Sequence, residues 1–367
     1  MADTLSNRAM NRTLLQRQML LERVDMPIAD AVEWLIGMQA QVPSTPYAGL
    51  WTRLRDFDPS ALSDLIANRQ AVRLNIMRAT IHLVTARDCL RLRPIMQPVL
   101  ERGFYTGSPF AKRIAGVDIA TVLEAGRVYV EEAPRTGPQL SVHLKGLFPD
   151  YDAESLSYAV QYLLPVVQIP PRGLWNKGGV PTRTTAQLWL GAELDPTYAM
   201  ETLARRYLAA YGPASYLDMQ AWSGLTNLRE VFEVMRLSLR TFRAESGREL
   251  FDLPDAPLPD EDVPAPVRFM PPYDNVGLSH DDRTRLISEQ HRRLFGGQAL
   301  NFGCVLVDGF AAAFWRTERD KKTTTLTVTP FDPLSKPVTA EVEAEATRLL
   351  QFIAAADAHN VRFTEPA

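Results

Sequence analysis

The first 253 residues repeat one order of elements three times: short helices, then strand-like runs that turn back on themselves. Helical and strand periods cannot both be satisfied by one segment. A chain that keeps switching between them is therefore built from small helix-plus-hairpin units. In the first copy, residues 11–26 space Leu14, Leu15, Met19 and Leu20 as a helix, and 28–39 do the same with Ile28, Val32, Leu35 and Ile36. Pro43 and Pro46 are expected to stop that helix and leave Val42 extended. Asp58 or Ser60 caps a further short helix, and residues 73–84 alternate apolar and polar like a half-buried strand. Helices at 118–132, 140–148 and 153–164 begin the second copy, which ends in two strands around a Gly/Pro tip. The third has helices at 198–211, 215–222 and 228–236, with Ser223-Gly224-Leu225-Thr226 as the turn of a helix-turn-helix, and strands at 239–243 and 249–253.

The reading is a mainly α protein with small β wings (α+β): winged helices over 1–115, 116–194 and 195–253, then a β-rich region over 254–367. Residues 254–266 are Pro-rich and acidic, a linker or surface loop. After them come a hairpin about Asp308-Gly309, a basic tip at 319–322, a strand at 324–329 and a terminal helix at 338–356.

Composition removes several function classes. Two cysteines, Cys89 and Cys304, make neither a disulfide framework nor a four-ligand zinc site. The five histidines show no HxxxH or HxH spacing, so no metal and no cofactor is expected. There is no run of 18 apolar residues and no apolar signal core at the N-terminus, so a soluble, cytoplasmic protein without a membrane partner is expected. The net charge of -3 hides an asymmetry: residues 1–115 carry 15 basic and 10 acidic side chains, residues 251–367 carry 12 and 18. A basic first third, almost all arginine, points to a polyanion partner; a GC-rich genome would produce the same arginine bias.

The most unusual stretch is Gly37-Met38-Gln39-Ala40-Gln41-Val42-Pro43. If the chain turns extended after Gln39, both amides point one way, because residues two apart share a face. An amide donates and accepts without a useful acid–base pKa, so such a pair holds a water or stabilises charge without removing a proton. Alternatively, both glutamines cap backbone groups at a helix end. In 78–84, strand alternation puts Arg78, Thr80 and His82 on one face, a set that grips a phosphate or simply faces solvent. Arg53 and Arg55 follow the glutamine pair closely, as candidate anion ligands or a solvated helix face. Arg319, Lys321 and Lys322 form a hairpin tip that is solvated or reaches into a groove. Arg229, Arg236, Arg240 and Arg243 are diluted by Glu230 and Glu233, and Lys145, Lys177 and Arg183 near the second wing are equally ambiguous.

Taken in order, 37–41 with 43–53, Met77-Arg78-Ala79-Thr80-Ile81-His82-Leu83-Val84, Pro272-Tyr273-Asp274-Asn275 and Leu306-Val307-Asp308-Gly309 through Trp315-Arg316 resemble the YcaQ/AlkZ winged-helix DNA glycosylases. The resemblance covers nearly the whole chain. It implies tandem winged helices in a C-shape around duplex DNA, excision of N7-alkylated purines, and unhooking of interstrand crosslinks made by an antibiotic producer's own genotoxin. The AlkZ branch carries Gln-aliphatic-Gln, here Gln39-Ala40-Gln41; the YcaQ branch carries Asp at the last position. The resemblance makes Gln39 and Gln41 catalytic; Arg53, Arg78, Thr80, His82, Arg319, Lys321 and Lys322 are expected at the DNA, with His82 alternatively orienting Gln41 or supporting the fold. The expected partner is double-stranded DNA bearing N7-alkylpurine or crosslink lesions, met by a nucleoid-associated monomer. Lyase chemistry needs an amine near the sugar, and no lysine precedes Lys112, so a monofunctional glycosylase is expected. Two other classes remain open: a winged-helix regulator that releases no base, and a resistance protein that sequesters the free drug.

Overall fold

The computed structural model describes residues 3–295 and 302–367. The chain enters through β1 (Thr4–Leu5) and α1 (Asn7–Arg17). The first winged helix then runs α2 (Ile28–Trp34), β2 (Met38–Gln39), α3 (Thr45–Trp51), α4 (Pro59–Ala67), β3 (Ala71–Asn75) and β4 (Ile81–Thr85). The helix expected over 28–39 stops early because Ile36 and Gly37 adopt positive φ (53° and 87°), turning the chain into β2. A Cβ on Gly37 would meet the Val84 side chain at 2.6 Å, so the turn also needs a bare backbone. Pro46 does not end a helix but sits in the first turn of α3, where the missing N–H is harmless. Asp58 caps α4 by accepting from the Ser60 backbone N–H. The single strand expected over 73–84 is a hairpin, broken by a tight 3₁₀ turn at 77–79 with Arg78 and Ala79 left-handed (φ 53° and 57°).

Next, α5 (Ala86–Ile95), α6 (Gln97–Tyr105) and α7 (Phe110–Arg113) lead to the second unit. It comprises α8 (Ile119–Glu132), β5 (Arg135–Thr136), α9 (Gly137–Leu147), α10 (Ala153–Leu163), β6 (Val166–Ile169) and β7 (Thr182–Thr185). Thr136 and Gln139 form a reciprocal capping box that starts α9. After α11 (Ala186–Leu190), the third unit runs α12 (Met200–Tyr211), α13 (Tyr216–Ser223), α14 (Leu228–Met235), β8 (Arg240–Ala244) and β9 (Glu249–Asp252). Gly224, at φ 82°, closes α13 as the turn residue.

Two pairings join separate parts of the chain's first 253 residues. Strand β3 pairs with β6, so the wings of the first two units join edge to edge in one sheet of order β2-β4-β3-β6-β7-β5. The N-terminal segment, grouped with the first unit in the sequence reading, serves the third instead. There β1 pairs parallel with β8, Leu14 and Leu15 share a core with Tyr207, Leu208 and Tyr211, and Arg17 makes a buried bidentate pair with Asp252 at 2.8 Å.

The C-terminal region is a five-stranded sheet of β10 (Arg268–Met270), β11 (Gly303–Val307), β12 (Phe310–Asp320), β13 (Thr323–Pro330) and β14 (Ala358–Phe363). A short helix α15 (Asn275–Leu278) follows β10, and the long α16 (Lys336–Ile353) shares the core of this sheet. Phe352 of α16 contacts Trp51, Phe57 and Trp175, tying this region to both of the first two units. Among the described residues no helix is long and apolar enough to cross a membrane.

Candidate active site

Gln39 lies in β2 opposite His82 of β4 and is 7% exposed. Its backbone carbonyl accepts from Thr45 Oγ1 at 3.0 Å. Its side-chain Oε1 accepts from Arg78 Nη2 at 2.8 Å. A guanidinium only donates, so this bond fixes which end of the amide is oxygen. Ala40 is fully buried; its N–H donates to Ile81 O at 2.7 Å and its carbonyl accepts from Arg73 Nη2 at 2.7 Å. Gln41 is exposed, and its Oε1 accepts only a long bond, 3.4 Å, from the Ile81 N–H. The helix does end before the pair, and both amide oxygens face the same β3–β4 hairpin. Gln39 is locked; Gln41 is open.

Arg78 carries the lock. Its second nitrogen donates to the Trp222 carbonyl at the end of α13, so one side chain spans the first and third units. A Cβ on Gly224 would lie 3.1 Å from the Arg78 Cα, which shows how closely the two backbones approach. Burial pushes the Arg78 guanidinium down to about 10, still charged at neutral pH.

The expected DNA ligands do not form one set. Arg53 is fully buried and makes a bidentate pair with Asp274 at 2.7 and 2.8 Å while donating to Gly49 O; it is a structural tie and presents nothing to a nucleic acid. His82 is also fully buried, with Nδ1 3.0 Å from Thr80 O. Burial and the nearby Arg78 push it down to about 3, so it is neutral at physiological pH, and with no exposed surface it does not reach a phosphate. Thr80 is half-buried, its hydroxyl donating to Met77 O. Arg319 is exposed and paired with Asp357 at 2.7 Å, and Lys321 and Lys322 are exposed at the β12–β13 turn. Among the described residues no hydrogen bond or ion pair links that tip to the Gln39–Gln41 segment.

The roles of three residues escaped the sequence reading, which held Asp274 and Asn275 only as part of a motif and did not single out Arg73. Arg73, 1% exposed on β3, grips the carbonyl between the two glutamines. Asp274 neutralises Arg53, and Asn275 donates to Gly37 O at 2.7 Å and Tyr211 Oη at 2.9 Å. The 271–275 segment therefore buttresses the turn that delivers Gln39. The one available signal was Arg73 standing between Val72 and Leu74 in an otherwise apolar strand. A crevice beside Gln39, walled by Thr45, Pro272, Tyr273 and Asp274, has room of about 10 Å³, roughly one water.

Comparison with known proteins gives a consistent outcome. A family model described as "DNA glycosylase AlkZ-like" matches residues 32–352. An interstrand DNA cross-link repair glycosylase of Streptomyces sahachiroi is 26% identical over 361 residues, covering 91% of this chain and 93% of that protein. The solved structure of Streptomyces sahachiroi DNA glycosylase AlkZ superposes with a TM-score of 0.75 at 22% identity, covering 98% of this chain and 100% of that one.

Proposed function

Because the chain belongs to the AlkZ-like DNA glycosylase family, we propose that it hydrolyses the N-glycosidic bond of N7-alkylated purines in duplex DNA, with Gln39 and Gln41 as its catalytic residues. The observation that carries this reading is the unequal pair: Gln39 Oε1 held by Arg78, and Gln41 exposed two residues on.

Alkylation at N7 already makes the purine a cation and a good leaving group. Cleavage moves that positive charge from the base to an oxocarbenium-like sugar, as in glycoside hydrolysis. No acid is needed at the base; what is needed is a positioned water and dipoles set for the displaced charge. Arg78 occupies one lone pair of Gln39 Oε1, leaving its amide N–H groups to hold the water oxygen. The weakly engaged Gln41 Oε1 accepts a hydrogen bond from the water and faces the sugar cation; once the C–O bond forms, the water's surplus proton passes to solvent. Neither amide titrates, so the site stays competent across neutral pH.

A crosslinked base is tethered to the opposite strand and cannot be flipped out in the ordinary way. An exposed Gln41, two residues on from a Gln39 that borders a one-water crevice, suits attack within an intact duplex better than a closed base pocket would. We extend the proposal to unhooking of interstrand crosslinks, the activity named for the Streptomyces relative, and to self-resistance against a DNA-alkylating product. The protein is taken to act as a monomer and to stop at base release, with no lysine before Lys112 to form a Schiff base with the sugar. The regulator alternative lacks a reading surface: α4 and α10 carry no basic residue, and α14 carries Arg229 beside Glu230 and Glu233.

The test is incubation with a duplex containing N7-methylguanine, then alkali to cut at abasic sites, with a crosslinked duplex in parallel. Cleavage above spontaneous depurination that appears only after alkali supports a monofunctional glycosylase. Cleavage without alkali contradicts monofunctionality, and no base release from either substrate contradicts the function.

A further inference from the structure

Between Glu154 and Glu193 the sequence contains no acidic residue, yet it carries Arg172, Lys177 and Arg183. This stretch includes the whole wing of the second unit, β6, β7 and the loop between them. The wing is docked on the first unit beside the glutamines: Tyr47 Oη donates to Gly173 O at 2.8 Å, and the Trp175 N–H donates to Ser63 Oγ at 2.9 Å. Across the joined sheet, Arg73, Gln168 and Arg183 stand in register on β3, β6 and β7, so the three side chains share one row.

That row is electrostatically uncompensated. Arg73 is 1% exposed, and its Nε and Nη1 have no hydrogen-bond partner; nor do Arg172 Nε and Gln168 Oε1. Arg172 and Arg183 each hold a loop carbonyl, Gly179 O and Pro181 O, with one nitrogen. Other arginines do meet carboxylates, buried Arg17 with Asp252 and Arg53 with Asp274 and half-buried Arg206 with Asp88, while buried Arg93, Arg268 and Arg285 rest on carbonyl oxygens. Burial lowers Arg73, Arg93, Arg183 and Arg268 alike, but Arg93 and Arg268 feel a glutamate, while Arg73 and Arg183 feel Arg172. Guanidinium groups stay charged, so a row of them without an acid is a site of positive potential awaiting an anion.

We propose that Arg172 and Arg183, backed by Arg73, form a phosphodiester-binding subsite on the second wing that holds the DNA strand running into the Gln39–Gln41 site. The proposal rests on the glycosylase reading only in taking duplex DNA as the partner. Arg73 couples the two places, because the guanidinium behind the subsite also grips Ala40 O between the glutamines.

The experiment is the salt dependence of binding to a lesion-free duplex, from 50 to 300 mM NaCl, for the wild type, Arg172→Gln/Arg183→Gln and Arg127→Gln. Removing one phosphate ligand should reduce the slope of log K against log salt by about 0.9, so the double variant should lose about 1.8. Arg127, tied to Glu124 and Glu131 on α8, should leave the slope unchanged. If the double variant melts early, Arg172→Gln alone, half-exposed, should still remove about 0.9. An unchanged slope in a folded variant overturns the proposal. So does a slope unchanged while thermal protection by inorganic phosphate disappears, which would mark a site for free phosphate. Lesion-free DNA keeps the two failures apart: loss of the slope effect refutes the subsite, whereas absent base release refutes the function and leaves the subsite standing.

Discussion

The first and third units both run three helices into a two-stranded hairpin, and their hairpins treat charge differently. In the first, buried Arg73 and half-buried Arg78 sit on a wing hairpin and meet only carbonyl and amide oxygens. In the third, arginines are matched to acids: Arg236 is bound by both Glu233 and Glu249, Arg248 by Asp281, and Arg17 enters from the N-terminus to meet Asp252. The third unit also buries Trp222, Tyr207 and Tyr211, whose rings pack together, and it captures β1. Arg236 and Arg248 in the third unit are thus neutralised by carboxylates, whereas Arg73 and Arg78 in the first are held by backbone and amide oxygens alone. Arg78, bonded to Gln39 and to Trp222 O, is where the scaffold sets the geometry of the site.

The contrast can be broken most violently at the buried ion pair that joins the site to the C-terminal region. Asp274→Ala leaves Arg53 charged and alone, and should destabilise the fold by about 3–5 kcal/mol; a melt within the wild-type error would show that the buttress is not holding. Next in size is Gln41→Ala, which should lower base excision by about 10²–10³ with little change in stability or DNA affinity. Arg78→Met should come third. It frees Gln39 to rotate, so the single-turnover rate should fall by about tenfold or more while binding to lesion-free DNA changes less. Arg78→Lys should restore part of that rate, because it keeps a donor to the amide. Equal losses in rate and binding would place Arg78 at the DNA instead.

Acid sharpens the comparison by a subtler route. His82 in the first unit and His280, buried against the third, are both pushed down to about 3, chiefly by burial. In the unfolded chain each takes up a proton near pH 6.5. Unfolding is therefore favoured as pH falls below 6.5, increasingly until about 3, where the folded histidines also protonate. Chemical denaturation should show stability declining over that window, with a shallower decline in His82→Gln. Excision measured from pH 6 to 8 should show no histidine step. The smallest effect belongs to Arg236→Gln: an exposed pair on the third unit should change stability by about 1 kcal/mol or less and leave the salt slope of DNA binding intact.

The unit order was legible in the sequence because it is local. Capping residues such as Asp58 and Ser215, the turn glycine Gly224 and the Asp308-Gly309 hairpin announce their elements within a few residues. The extended course of 39–41 was legible only in part: Pro43 signalled the end of the helix, but the turn lies earlier, at Ile36 and Gly37. What escaped the reading depends on distant partners. Arg53 looked like a solvated cation because Asp274 lies 221 residues away. His82 alternates like a surface residue, yet β2 and β3 flank it on either side. The union of β3 with β6, and the capture of β1 by β8, leave no periodic mark at all.

The central claim is that an open Gln41 working beside an arginine-locked Gln39 performs the hydrolysis. The direct measurement is the single-turnover rate of N7-methylguanine release at saturating enzyme for the wild type, Gln39→Ala and Gln41→Ala, with lesion-free affinity measured on the same preparations. The account expects release to drop by about 10²–10³ in Gln41→Ala, and to drop clearly in Gln39→Ala, with affinity largely kept. Wild-type release rates in both folded variants would contradict it.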